Sequence, residues 1–240
     1  ASGAAPRHAL DASKGKTDFL MGAPAIQFLM SKQIAMFKKV KNSKELSQNL
    51  RTIFNYRIGY YQFGVFESSG IKKLADLKGK RVFLGPPAAV QRRVAGGFVK
   101  AITGLVPGKD YKSVNLGFSS AMQAFQDRQI DVLVASSNPP AANFVQAALT
   151  NKIRFLGATD ADWKKPAMNK VMRLPGRTRG QFPADIYGSN QANTKPAQTI
   201  AAWVGLVTRK GIPEGVIYKM TKTFWEHIDE IERAPGRVRV

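Results

Sequence analysis

The sequence predicts an α/β fold, and three observations predict it. Short apolar runs of strand character, Arg81–Leu84, Asp131–Ala135 and Ile153–Leu156, recur between stretches with apolar residues at helical spacing. Two of these runs end in a Pro-containing bend, Gly85-Pro86-Pro87 and Ser136-Ser137-Asn138-Pro139-Pro140, with a helical pattern directly behind it. The chain has 240 residues, 44% hydrophobic and 22% charged, which is ordinary for a folded protein and enough for one large domain or two small lobes.

The stretch Gly70–Arg93 organises the rest. Ile71–Leu77 reads as a short amphipathic helix, Lys78-Gly79-Lys80 as a turn, Arg81–Leu84 as a strand, and Ala88–Thr103 as a helix with Val90, Val94, Phe98 and Ile102 on one face. A helix that starts at a bend after a strand aims its free N–H groups beyond the strand end, where they favour an anion.

Before it, Ser2–Lys14 reads as a helix with Ser2 as N-cap, Asp18–Met21 as a short buried strand ended by Gly22-Ala23-Pro24, and Ala25–Phe37 as an apolar helix. Lys38–Lys44 is a basic loop. Thr52–Tyr56 and the aromatic run Tyr60–Phe66 read as strand. After it, Ser113–Leu116 is a short strand, Ser119 or Ser120 caps the next helix, and Ala141–Leu149 is a helix. Met168–Ile186 reads as irregular, Thr199–Thr208 as a strand and Val216–Ile231 as a helix, followed by a basic tail.

There is no cysteine, which excludes disulfides, thiolate metal sites and cysteine nucleophiles. The two histidines, His8 and His227, stand far apart in sequence, and no HExxH, GxGxxG or P-loop pattern occurs. Carboxylates are sparse and form no close pair suited to general acid–base work. The composition therefore favours binding over catalysis, with no cofactor and no metal. The formal net charge of +21 admits nucleic acid, an anionic membrane surface or anionic ligands as partners. No zinc-finger, RNA-binding or basic-zipper motif accompanies it, and no segment approaches the roughly 20 apolar residues of a membrane span.

The segment GIKKLADLKGKRVFLGPP resembles the entry to the second lobe of periplasmic solute-binding proteins, and its Gly-Pro-Pro is similar to the ligand loop of the TAXI family of TRAP-transporter solute receptors. AMQAFQDRQIDVLVASS resembles a further unit of that family, with Gln129 in place of a turn glycine. Ser136–Pro140 and Ala184–Tyr187 fall on two more of its loops. The resemblance implies a two-lobed, type II periplasmic-binding-protein-like fold. Residues 1–66 and 202–240 would form one lobe and 67–201 the other, with a ligand cleft between them. It also implies that the family's first strand, ligand loop and first helix are absent from this sequence, and that a signal peptide has been removed.

What the resemblance implies about function is an extracytoplasmic, periplasmic receptor, a monomer. It would take a small organic acid, glutamate-like or a dicarboxylate, and deliver it to TRAP transporter membrane subunits, with no nucleic-acid partner. The candidate ligand residues are Gly22, Ala23, Tyr60, Gly85, Pro86, Ala88, Ala89, Val90, Gln91, Arg92, Ser136, Ser137, Asn138 and Tyr187. Core packing is the alternative for Tyr60 or Tyr61, whichever faces inward, and solvent for Arg92. Of Arg92 and Arg93, about 100° apart on a helix, Arg92 matches the family's basic position. The alternatives in function are an ABC-type receptor for a sulfonate, nitrate or thiamine-precursor-like solute, a ligand-sensing regulatory domain, and a basic nucleic-acid-binding protein.

Overall fold

The computed structural model describes residues 5–87 and 89–233 and divides the chain into two units, each with its own core. Ser2 and Ala88 lie outside the described residues, as does the tail beyond Arg233.

The first unit takes residues 5–58, 174–176 and 203–233. Helix α1 (Ala5–Ser13) leads to strand β1 (Phe19–Gly22), then α2 (Pro24–Ser31), α3 (Ser43–Ser47) and the start of β2 (Leu50–Phe66). The end of strand β8 (Ala197–Arg209) pairs antiparallel with β1, Phe19 opposite Thr208 and Gly22 opposite Gly205. The core is Ala9, Ala12, Ile26, Leu29, Met30, Phe37, Leu50 and Val207. Helices α9 (Glu214–Glu226) and α10 (Ile228–Arg233) close the described chain, and Phe224 of α9 stacks on Phe54 at 4.5 Å.

Three expectations change here. The Asp18–Met21 segment is strand, but not a buried one: Met21 is 64% exposed and only Gly22 is buried, because Phe19 and Met21 share the face of β1 that stays exposed. The helix expected over Ala25–Phe37 stops at Ser31. Gln33 and Ala35 take left-handed φ of 54° and 52°, and the resulting turn drops Phe37 into the core. The helix expected over Val216–Ile231 is interrupted at His227.

The second unit takes residues 59–173 and 177–202. Its elements are the rest of β2, β3 (Arg81–Phe83), α4 (Val90–Thr103), β4 (Lys112–Ser113), α5 (Phe118–Gln126), β5 (Val132–Ser137), α6 (Ala142–Ala148) and β6 (Ile153–Leu156). Then come α7 (Asp160–Trp163), α8 (Pro166–Met172), β7 (Arg177–Phe182) and the start of β8. Strands β4, β3 and β5 are parallel, with Arg81 opposite Lys112 and Val82 opposite Val132. β2 runs antiparallel to β5, Tyr60 opposite Ser137. The α/β organisation expected from the sequence is thus present: strand, bend and helix succeed each other at β3–α4 and again at β5–α6. The chain passes from one unit to the other at Ile58–Gly59 inside β2, at Arg173–Leu174 and Gly176–Arg177 on either side of the short 174–176 segment, and at Ala202–Trp203 inside β8.

Aromatic rings fill this unit's core. Phe144 stands edge-on to Phe125, Phe155 and Tyr187, and Phe66 stacks on Phe125 at 4.4 Å. The expected helix Ile71–Leu77 is a single 3-10 turn, Leu74–Leu77. The Asp76 carboxylate accepts the N–H groups of Lys72 and Lys73 ahead of it, while Ile71, Leu74 and Leu77 are buried as the pattern required. Gly117 caps α5, so Ser119 and Ser120 lie within it. Arg128, not Gln129, holds the left-handed turn position, with φ 60°. The region expected to be irregular, Met168–Ile186, contains most of α8 and all of β7. β7 has no apolar alternation and exists because it pairs with β8 from Arg177–Ala202 to Phe182–Ala197.

Glu67, just past β2, accepts two hydrogen bonds from the Arg154 guanidinium at 2.6 and 2.8 Å and ties β2 to β6. Those bonds hold its carboxyl below the usual glutamate range. A carboxyl lowered by folding contributes stability above its unfolded pKa and loses it as pH falls through the folded one. Glu67→Gln is expected to cost about 1 kcal/mol at pH 7. It should also flatten the acid limb of stability against pH, measured by urea unfolding at several pH values. An unchanged acid limb would remove this pair from the account.

Candidate functional site

The parallel pairing of β3 and β5 brings two bends side by side at the carboxyl ends of their strands. One is Gly85-Pro86-Pro87 and the other Asn138-Pro139-Pro140, with Ser136 and Ser137 the last two residues of β5. Ligands of open α/β sheets bind at such strand ends. Gly85 has φ 119°, and a Cβ there would stand 3.1 Å from the Gln91 side chain and 3.2 Å from the Arg92 backbone nitrogen, so glycine is what lets the bend approach the start of α4 this closely. Ala89 is the N-cap of this 14-residue helix and offers no side-chain cap, so the first-turn N–H groups of α4 meet no capping side chain.

Two buried glutamines hold the bends. Gln91, 7% exposed, reaches back under the bend. Its Nε2 donates to the carbonyls of Val134 (2.8 Å) and Leu84 (3.3 Å), and its Oε1 accepts the Ser136 hydroxyl (2.8 Å). Gln62, fully buried in β2, donates from Nε2 to the Ser137 carbonyl (2.8 Å) and Oγ (3.1 Å). Its Oε1 accepts the Tyr187 hydroxyl, which in turn accepts the Ala141 N–H at 2.9 Å. Burial pushes the Tyr187 hydroxyl well above the usual tyrosine range, so it stays protonated and keeps donating.

These contacts sort the expected ligand residues of this unit. Gly85 and Pro86 lie on the first bend, Ala89 and Val90 at the start of α4, Ser136 and Ser137 at the end of β5 on its opposite faces, and Asn138 just beyond them. Gln91 and Tyr187 lie beneath them as supports. Tyr60 is buried against Phe182, ring centroids 5.8 Å apart. Arg92 turns onto backbone, its Nη1 facing the Val114 carbonyl at 3.3 Å and that of Gly85 at 3.5 Å. Gly22 and Ala23 belong to the first unit. There Gly22 accommodates Val207, whose Cγ2 would lie 2.9 Å from a Cβ, and Ala23 is the N-cap of α2.

Two arginines outside the expected ligand residues have no carboxylate partner among the described residues. Arg93, one position on, is exposed and makes no hydrogen bond or ion pair among the described residues. Arg177, at the start of β7, is half-buried, donates to the Val171 carbonyl at 2.7 Å and has no carboxylate partner among them. Burial lowers the Arg177 guanidinium, the nearby phenol of Tyr61 opposes that, and the like charge of Arg93 lowers it further. Burial in turn raises the Tyr61 hydroxyl to about 12, against the pull of Arg177. Arg177 thus interacts electrostatically with both Tyr61 and Arg93, and neither arginine has a carboxylate partner among the described residues. Tyr61 was visible as the alternative to Tyr60. Arg177 carried no local signal, lying in a segment without strand pattern.

Among the described residues, no group of His, Cys, Asp and Glu is placed to hold a metal ion, and no helix is long and apolar enough to cross a membrane. No curated protein matches the chain. Solved structures similar to it include the alkanesulfonate-binding protein SsuA from Xanthomonas axonopodis pv. citri bound to MOPS. It has 13% identity, TM-score 0.48, and covers 96% of this chain and 62% of its own. Another is the periplasmic aliphatic sulphonate binding protein SsuA from Escherichia coli, with 16% identity, TM-score 0.45, and 98% and 82% coverage. A third is a TRAP periplasmic solute binding protein from Desulfovibrio salexigens with bound orotic acid, with 13% identity, TM-score 0.44, and 92% and 61% coverage. The chain thus spans about three fifths of the length of the first and third of these. Residues 14–239 match the model of the NMT1-like family, and the chain belongs to that family.

Proposed function

We propose that this protein is a periplasmic solute receptor that captures a small organic anion and passes it to a membrane transporter, without catalysing a reaction. The observation that carries this reading is the start of α4, which has no capping side chain, together with two arginines, Arg93 in that helix and Arg177 in β7, that have no carboxylate partner among the described residues. A helix N-terminus and guanidinium groups both favour a carboxylate or sulfonate. The Gly-Pro-Pro bend at this position supports TRAP membrane subunits of the TAXI type as the partner, with a carboxylate as cargo. A sulfonate would instead favour an ABC transporter.

Native mass spectrometry of the purified protein, before and after mild denaturation, tests this directly, and a released organic acid is the expected result. Thermal unfolding with added carboxylates and sulfonates extends the test. At a hundredfold excess over Kd a ligand should stabilise the protein by about 2.7 kcal/mol. A flat response to every anion, with duplex DNA raising the unfolding temperature in its place, would overturn the receptor in favour of nucleic-acid binding.

A further inference from the structure

Gln91 determines which way the Ser136 hydroxyl points, and that decides what Ser136 can recognise. Carbonyl oxygens only accept hydrogen bonds, so the Gln91 atom 2.8 Å from the Val134 carbonyl and 3.3 Å from that of Leu84 is the amide nitrogen. The amide oxygen is then the atom 2.8 Å from Ser136 Oγ, and it also only accepts. The single hydroxyl proton of Ser136 is committed to Gln91. Gln91 is buried, so water does not compete for that bond.

What Ser136 has left is lone pairs. Its neighbour has the opposite polarity: Ser137 Oγ accepts from Gln62 Nε2 and keeps its proton. Successive residues of a strand face opposite sides, so the two hydroxyls serve opposite faces of β5. Ser136 is the one on the side of α4, through its bond to Gln91.

We propose that Ser136 acts as a hydrogen-bond acceptor for the solute, and that the solute therefore carries an N–H or O–H donor in addition to its anionic group. This rests on the anion-receptor reading above. An anion with acceptors only, such as a plain dicarboxylate or an alkyl sulfonate, sets oxygen lone pairs against those of Ser136. The arginines repel an ammonium group, so a preference for an amino-bearing solute here runs against the net charge and reports the acceptor.

Titration calorimetry on the intact chain tests this with two probe pairs that differ by one amino group: L-glutamate against glutarate, and taurine against ethanesulfonate. The amino member of at least one pair is expected to bind about tenfold or more tightly than its partner. Ser136→Ala, a substitution at a half-buried position, should bring that ratio toward one by weakening the amino member alone. Gln91→Leu frees the hydroxyl proton for donation and should strengthen the desamino member relative to wild type. Equal binding within each pair, a preference for the desamino member, or a ratio unmoved by Ser136→Ala would overturn the inference while leaving the receptor standing. If no member of either pair binds, this inference falls, and the receptor reading stands or falls with the screen of anions and duplex DNA above.

Discussion

Phe144→Ala is expected to destabilise the second unit by about 3–5 kcal/mol, the range for removing a large aromatic side chain from a closed core. Phe144 is fully buried, with ring centroids 5.0 Å from Phe155, 6.1 Å from Tyr187 and 6.4 Å from Phe125, all near perpendicular. The same ring occupies the space over Gly64, where a Cβ would stand 2.3 Å from Phe144 Cε1. The backbone of β2 is therefore fitted to the ring, and neighbouring aromatics have little freedom to collapse into the cavity. Denaturant unfolding should show a lower midpoint with an unchanged m value. Phe144→Leu should cost less, about 1–2 kcal/mol. The geometry also predicts coupling: Gly64→Ala should be severe in the wild type and much milder in the Phe144→Ala background. Additive effects of the two substitutions would mean that ring and glycine do not share this space.

Arg177→Gln is expected to lower affinity for an anionic solute by about 30- to 150-fold, since a charge-assisted bond to a half-buried guanidinium contributes about 2–3 kcal/mol. Arg177→Lys should recover part of this and not all, because an ammonium cannot reproduce the planar donor fork. The measurement is a calorimetric Kd for whichever acid the native protein releases, beside an unfolding curve of each variant without ligand. The substitution removes a buried like charge beside Arg93 but also the bond to the Val171 carbonyl, so the empty variant should stay within about 1 kcal/mol of the wild type. A variant that unfolds more easily but binds as before would make Arg177 a support of β7 through the Val171 carbonyl. Arg92→Gln should act in the reverse sense, disturbing the ends of β3 and β4 more than the affinity.

The strand–bend–helix units were legible in the sequence because each is made of local signals. The apolar run Arg81–Leu84, the Gly-Pro-Pro bend and the helical spacing of Val90, Val94 and Phe98 lie within a few turns of chain. The structure has β3, the bend and α4 in that order. Ile153–Leu156 is β6 to the residue. The α/β class and a pair of bends as the place to look for a ligand followed from the same local patterns. β7 was not legible, because Arg177–Phe182 is polar and its strand state comes from hydrogen bonds to β8. Nor was the exposure of β1, which depends on what packs over the face carrying Phe19 and Met21.

Within the site, the residue types were readable but their roles were not. Gln91 and Tyr187 read as ligand contacts, and the structure buries both, Gln91 bonded to Ser136 and Tyr187 to Gln62 and the Ala141 N–H. Which of Arg92 and Arg93 stays free depends on the Gly85 and Val114 carbonyls that Arg92 faces, and Arg177 joins Arg93 from a point 84 residues further along the chain. The sequence by itself determined the α/β class, the strand-end bends and the excess of positive charge, since propensity, turn chemistry and composition are local properties. Only the tertiary structure decided which polar groups are bonded to the protein and which remain for a solute, because a hydrogen bond is a property of a pair of groups and most of these pairs are distant in sequence.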